Sequence, residues 1–329
     1  MFLIHNSIDQ APLLAAAVVG ACRGDGWDVP LQPRFLSVLF EKLLGFKADF
    51  ETLEPTTPQA ARDALPSLAQ RLELIELMVS VEVISDPIPP WLSQLIERWA
   101  KELGVEDRSL VVARDLAQNA KEAAKVDFYR LNWIGALDQK QPDFQQKLER
   151  AGIKAWALTV EADREEAQRW DLLKNCPAGS IGRALWNFYQ KRGFAFPGTP
   201  GAVNKAVARH DWVHVLADYD TTPMGEMEVL AFMASSSRVP GTTLGFIGTI
   251  GIYESGLLPS LVVPPGCHHS LSVPGGPERI ADAIRRGKSC HQDPLMMDYF
   301  AIDSCPLDEL RRAWGIPEKA DIAMNSNSH

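Results

Sequence analysis

The stretch RHDWVHVLADYDTTPMGEMEVLAF, Arg209–Phe232, sets two histidines four residues apart, with an aspartate directly after the first and a glutamate twelve residues after the second. Its first half reads as a helix, supported by the apolar positions Val207, Val213, Leu216 and Ala217. Residues four apart share a helix face, so His210 and His214 project together. A second helix follows, with Thr222 as its N-cap and Pro223 at its first position. Glu226 then lies in the first turn. A short turn between antiparallel helices brings it back toward the two histidines.

Helical periodicity also dominates outward from this hairpin. LQPRFLSVLFEKLLG places Leu36, Leu39, Phe40 and Leu43 on one face. LPSLAQRLELIELMVSVEVI and WLSQLIERWAKELGV repeat the pattern, and no alternating run precedes residue 240. LLPSLVVPPGCHHSLSVPGG is rich in proline and glycine and has room for a short extended piece. The expectation is an all-α protein. At 329 residues two domains are expected.

A weak internal repeat lies in the first third. DGWDVPLQPRFLSVLFEKLLG begins at Asp25, and DPIPPWLSQLIERWAKELG begins at Asp86. Each combines an acidic turn, prolines near a helix start, an apolar helix and a closing Leu-Gly, which suits helix ends. The pattern resembles the tellurite-resistance TerB-like domain, a helical bundle, over roughly residues 8–122. That family often carries a glutamate at the helix start. Here Gln32 and Arg34 stand in the first unit and Pro90 and Ser93 in the second, which favours an interaction or scaffolding module over a metal site. The expected division is a TerB-like bundle over 1–122, a connector over 123–165 broken at Pro142, a second helical domain over 166–320, and a disordered tail over 321–329.

Composition is that of a globular chain, 46% hydrophobic and 23% charged. A net charge of -9 disfavours nucleic acid as a partner. The five cysteines form no C-x-x-C pair, which suits a reducing compartment and gives no zinc-ribbon signal. The N-terminus lacks a positive n-region, and Asp9 precedes its apolar run, so it reads as an amphipathic helix of a cytoplasmic protein. Thr242–Val263 is the most apolar stretch. Glu254, Pro259 and several glycines interrupt it, so it is expected to touch a membrane at most.

Two imidazoles at i and i+4 can hold one divalent cation. Glu226 adds a carboxylate, and Asp211 a fourth ligand or a supporting partner. Positions left to water would make such a site open. HDWVH also differs from the zinc-peptidase H-E-x-x-H only at Asp211, so a metallohydrolase is an alternative. Asp211 is one methylene shorter than the peptidase base and would sit back from the metal-bound water.

HDWVH followed by eleven residues and Glu226 matches the H-D-x-x-H-x(11)-E signature of the coenzyme Q biosynthesis protein 4 family. CPAGSIGRALWNFY, Cys176–Tyr189, is similar to that family's P-x-G-[ST]-[IL]-G-R segment. DTTPMGEMEVLAF, RIADAIRRGKS and PLDELRRAWGI resemble its later motifs. The resemblance spans about 170–317. It implies a mostly helical, often dimeric fold acting in ubiquinone biosynthesis on a polyprenylated benzenoid ring. It implies His210, Asp211, His214 and Glu226 as ligands of a divalent metal, zinc or iron. It also implies either metal-dependent oxidative decarboxylation at ring C1 or a lipid-binding role that organises the other quinone-biosynthesis proteins at the inner face of a membrane. A non-catalytic scaffold is the further alternative.

For the lipid wall, Phe232, Met233, Leu244, Phe246, Ile247 and Ile250 are the candidates, with ordinary core packing as the competing reading. The glycines of LGFIGTIG would permit close approach. Arg183 is a candidate for an anionic ring substituent or head group, or else caps its helix. Arg285–Lys288 offers a basic patch for anionic lipid or a solvated helix end. Cys267, His268 and His269 read as loop polarity.

Overall fold

The computed structural model describes residues 5–263 and 269–322. Among them are sixteen α-helices and no strand, only the isolated bridges Leu158–Val203 and Ser180–Pro306. The all-α expectation holds. The expected tail and the Cys267–His268 pair fall mostly or wholly outside the described residues.

The first group of helices is α1 (Ala11–Cys22), α2 (Leu31–Leu44), α3 (Pro58–Ala64), α4 (Leu68–Glu82), α5 (Pro90–Leu103) and α6 (Arg108–Ala117). The repeat is visible as α2 and α5. Both end in a left-handed glycine, Gly45 at φ 62° and Gly104 at φ 66°, where a Cβ would be strained. Ser67 caps α4 by accepting from the Gln70 N–H, and Gln70 returns the bond to the Ser67 N–H. Every residue of α4 from Glu73 to Glu82 is buried, so α4 is the central helix, packed by α1, α5, α6 and α14 (Thr242–Tyr253).

Gln32, on the first repeat helix, serves this central helix. The Gln32 amide donates to the Val81 carbonyl and to Ser85 Oγ, both at 3.0 Å. Ser93, on the second repeat helix, is buried. The Gln32 bonds fasten the C-terminal end of α4 to α2.

Residues 121–151 form α7 (Lys121–Leu131), α8 (Trp133–Asp138) and α9 (Phe144–Ala151). After them come α10 (Arg164–Asp171), α11 (Ile181–Arg192), α12 (Arg209–Ala217), α13 (Pro223–Ser236), α14, α15 (Gly276–Ser289) and α16 (Leu307–Ala313). Nearly all of α13 is buried, and it packs against α14 and α15. The far side of α15 lies on α2, and α14 meets α4 and α6. Buried apolar residues of both halves therefore belong to one continuous core.

α14 is built for close approach. A Cβ on Gly245 would come within 2.8 Å of Trp133 Cδ1, and one on Gly248 would collide with the Phe128 ring. The glycines of LGFIGTIG thus seat aromatic side chains of α7 and α8. No described helix is long and apolar enough to cross a membrane.

Candidate metal centre

The hairpin is α12, a tight turn and α13. Asn204 starts it, its side-chain oxygen accepting the N–H groups of Ala206 and Val207 at 3.0 and 2.9 Å. α12 ends at Asp218, left-handed at φ 60°, a conformation that aspartate tolerates. Asp220 Oδ1 accepts the Thr222 N–H at 2.9 Å. Thr222 caps α13 by accepting from Gly225, with Pro223 at the first position, as the sequence predicts.

This turn brings four side chains together. His210 Nδ1 lies 2.6 Å from the Val207 carbonyl, and His214 Nδ1 lies 3.2 Å from that of Tyr219. Each imidazole can donate Nδ1–H to its carbonyl and leave Nε2 as the lone-pair nitrogen. Both Nε2 atoms face Glu226, at 3.5 Å for His210 and 3.3 Å for His214. Donor atoms of His210, Asp211 and His214 lie within 4.8 Å of one another. Nδ1–H held by a backbone carbonyl is how metal-ligating histidines are oriented.

Whether these residues fit a cation is tested by His214 Nε2. It is buried and has no hydrogen-bond partner, although Glu226 is near. An unsatisfied ring nitrogen in a buried site is costly, and a cation shared with Glu226 and His210 would satisfy it. Two imidazole nitrogens with two carboxylates form a donor set that both zinc and iron accept. The residues fit.

Charge in the cluster is mutually supporting. Burial works against a charged His210, but Asp211 and Glu226 outweigh it and lift that imidazole to about 9. Burial likewise pushes the Glu226 carboxyl up, yet His214 and His210 override it and hold it well below the usual carboxylate range. For Asp211 burial wins over the two imidazoles, and its carboxyl is raised.

Asp211 has a second support that the sequence did not disclose. The Tyr189 phenol, on α11, donates to Asp211 Oδ2. Tyr189 is fully buried, its ring stacked on Phe196 at 5.2 Å and packed against Trp170 at 5.5 Å. Burial and the neighbouring Asp211 push its phenol well up, so it remains a donor. The end of α12 is likewise anchored. Arg311 donates to the Leu216 and Val215 carbonyls at 2.8 and 3.1 Å, and Arg286 to that of Ala217 at 2.8 Å. Cationic donors belong at a helix C-terminus. The basic run Arg285–Lys288 is therefore not a lipid-facing patch as a whole: Arg286 is buried, and Arg285 pairs with Asp282 at 2.6 Å.

His210, Asp211 and Glu226 line a cavity of about 950 Å³. Its apolar walls include Phe128, Trp133, Leu230, Ile252 and Leu261. The segment expected to be a connector thus supplies wall residues. Tyr129, also lining, accepts the Leu261 N–H at 2.9 Å and so ties the 260–263 segment to α7. The expected lipid-wall residues lie elsewhere. Phe232 and Phe246 are fully buried and do not line the cavity, and neither do Met233, Leu244, Ile247 and Ile250. α14 turns Gly245, Thr249, Ile252 and Tyr253 to the cavity and Phe246, Ile247 and Ile250 to the core. Arg183 is also absent from the lining; its guanidinium donates to the Cys176 carbonyl at 3.2 Å, and its N–H is capped by Ser180. The competing readings of core packing and helix cap describe these residues.

No family model and no curated protein matches the chain. A solved structure from Nostoc punctiforme PCC 73102, named "Putative ubiquinone biosynthesis protein", is similar over 74% of this chain and 97% of that one, with 16% identity and a TM-score of 0.34. Likeness at that level says nothing of shared chemistry.

Proposed function

We propose that the chain acts in ubiquinone biosynthesis as a metal-dependent protein that binds a polyprenylated benzenoid precursor. The observation that carries this reading is the buried Nε2 of His214, which makes no hydrogen bond yet lies 3.3 Å from Glu226, in a cluster that opens on a largely apolar cavity. His210, His214 and Glu226 would hold the cation, with Asp211 as a fourth ligand kept in place by Tyr189. A bound divalent ion would supply a Lewis acid for a ring carboxylate or phenolate.

The chain's own groups do the rest. The cavity volume lies within the range of small-molecule sites, whose walls are mostly apolar with few polar groups. Phe128, Trp133, Leu230 and Ile252 would hold apolar substrate surface and exclude water. Tyr129, Asn132, Thr221 and Thr249 line the same space and offer hydrogen bonds to ring substituents. Phe194 and Val262 line the cavity and are each 44% exposed; they form an apolar lip through which a prenyl tail would pass from a membrane surface. The reaction class that suits this arrangement is oxidative decarboxylation of the ring at C1, in which the carboxyl leaves as carbon dioxide, dioxygen supplies the hydroxyl that replaces it, and a two-electron donor reduces the second oxygen atom to water. Organising partner enzymes around the bound precursor is compatible with the same cavity.

The test is elemental analysis of purified protein with mass spectrometry of the co-purifying lipid. About one divalent ion per chain is expected, lost in the His210→Ala/His214→Ala variant, together with an isoprenoid ligand. Metal-free protein that also carries no lipid would overturn the reading.

A further inference from the structure

A second depression lies behind the metal helix. α12 turns His210 and Asp211 to the cavity and Arg209 and Trp212 to a groove of about 520 Å³. Four cations line that groove: Lys140, Arg169, Lys205 and Arg209. Among the described residues, none has a carboxylate oxygen within ion-pair distance, whereas many other cations of the chain do. The concentration is unusual for a chain of net charge -9.

The groove also holds opposing charge. Three carboxylates line it: Asp138, Glu166 and Asp298. Glu166 accepts the Trp170 indole N–H at 2.8 Å. Asp138 accepts from the Asn204 amide at 3.0 Å, and burial pushes its carboxyl up to about 7. Asp298 is exposed. By count, four cations face three carboxylates, so the groove is net positive, and among the described residues no carboxylate oxygen is in ion-pair contact with any of the four.

The guanidiniums are held before any ligand arrives. Arg169 lies over the Phe300 ring at 3.8 Å, and Arg209 donates to the Leu295 carbonyl at 2.6 Å. The Arg209 bond uses Nη1 and leaves its other donors. Trp212 and Tyr299 stack at 4.9 Å with rings 5° from parallel, and Trp170 packs against Phe300. These rings make a rigid floor. Two oriented guanidinium forks and two ammonium groups around one small groove match an anion with several oxygens and more than one negative charge.

We propose that this groove binds the phosphate group of a phosphorylated ligand, at a site separate from the metal centre. A monocarboxylate would use only part of the donor set. The volume suits a small molecule or a lipid headgroup rather than a folded partner. Nothing in this site depends on occupancy of the metal cluster.

The experiment titrates the full chain with inorganic pyrophosphate at physiological ionic strength, by calorimetry and by intrinsic tryptophan fluorescence. Saturable binding at about one site per chain is expected. Arg169→Gln/Arg209→Gln should weaken it about tenfold or more, as loss of charge-assisted hydrogen bonds does, and Lys42→Gln on the exposed face of α2 should not. Arg209 also holds a backbone carbonyl, so Lys140→Gln/Lys205→Gln, both exposed, serves as a second variant that leaves the fold alone. A vesicle arm separates the sources. Binding to phosphatidic acid vesicles but not phosphatidylcholine ones, displaced by pyrophosphate, would assign the groove to a lipid headgroup. Pyrophosphate binding without vesicle binding would assign it to a soluble phosphate ester. No saturable binding of either probe, or equal weakening in Lys42→Gln, would overturn the proposal.

Discussion

Removing one oxygen from Tyr189 should loosen the metal centre without touching a ligand. In Tyr189→Phe the ring keeps its stack on Phe196 at 5.2 Å and its packing against Trp170; only the donor to Asp211 Oδ2 is lost. The Asp211 side chain is 7% exposed, and its other near partner is His210 Nδ1 at 3.4 Å. The variant therefore strands a buried carboxylate oxygen and frees the side chain to rotate away from the cluster. A hydrogen bond to a charged group contributes about 1.5–3 kcal/mol, and loss of a group that orients a ligand weakens metal affinity roughly 10–100-fold. The assay is competition for zinc against a chelator of known affinity at pH 7, with thermal melts of metal-free and metal-loaded protein. The expected result is a 10–100-fold weaker site, with the metal-induced rise in melting temperature reduced. Affinity within twofold of the parent would refute the reasoning, because Asp211 would then need no support from Tyr189.

Glu82 is buried at the end of α4 with Oε1 unpartnered, and burial pushes its carboxyl from 4.5 up to about 8. Between those values the folded protein keeps a proton that the unfolded chain has released, so stability is full below pH 4.5 and falls as pH rises toward 8, by on the order of 5 kcal/mol at most. Glu82→Gln should flatten that slope in denaturant melts at pH 5 and pH 8; an unchanged slope would contradict the assignment. Phe246→Ala should cost about 3–5 kcal/mol yet leave lipid retention intact, whereas Leu230→Trp, which fills the cavity, should abolish retention while the protein still folds; mass spectrometry of extracted lipid reads both. Arg286→Met leaves the Ala217 and Pro317 carbonyls without their donor and should destabilise by about 1–3 kcal/mol per stranded group, seen as a lower denaturation midpoint.

The hairpin was legible because its signals are local. Thr222, Pro223 and the four-residue spacing of His210 and His214 each act within a turn or two of helix, and Glu226 follows from the short connection. The cavity wall was not legible, because α13 and α14 are buried on nearly every side. When a helix is buried all round, periodicity does not say which face meets a cavity, and the sequence leaves lining and core packing as competing readings for Phe246, Ile247 and Ile250, whereas Gly245, Thr249, Ile252 and Tyr253 are what α14 presents. The same limit hid Phe128 and Trp133. Their packing on Gly248 and Gly245 joins residues more than a hundred positions apart. Arg286 looked like surface charge until the C-terminal carbonyls of α12 gave it buried partners. Tyr189 stood inside a quoted motif, but its tie to Asp211 exists only once α11 lies against α12.

The most direct measurement is X-ray absorption at the metal edge of protein loaded with one equivalent of zinc. Two imidazole nitrogens and carboxylate oxygens at about 2.0–2.2 Å are expected, with one imidazole signal lost in His214→Ala. A sulfur shell, or a spectrum unchanged by His214→Ala, would place the ion elsewhere and contradict the account.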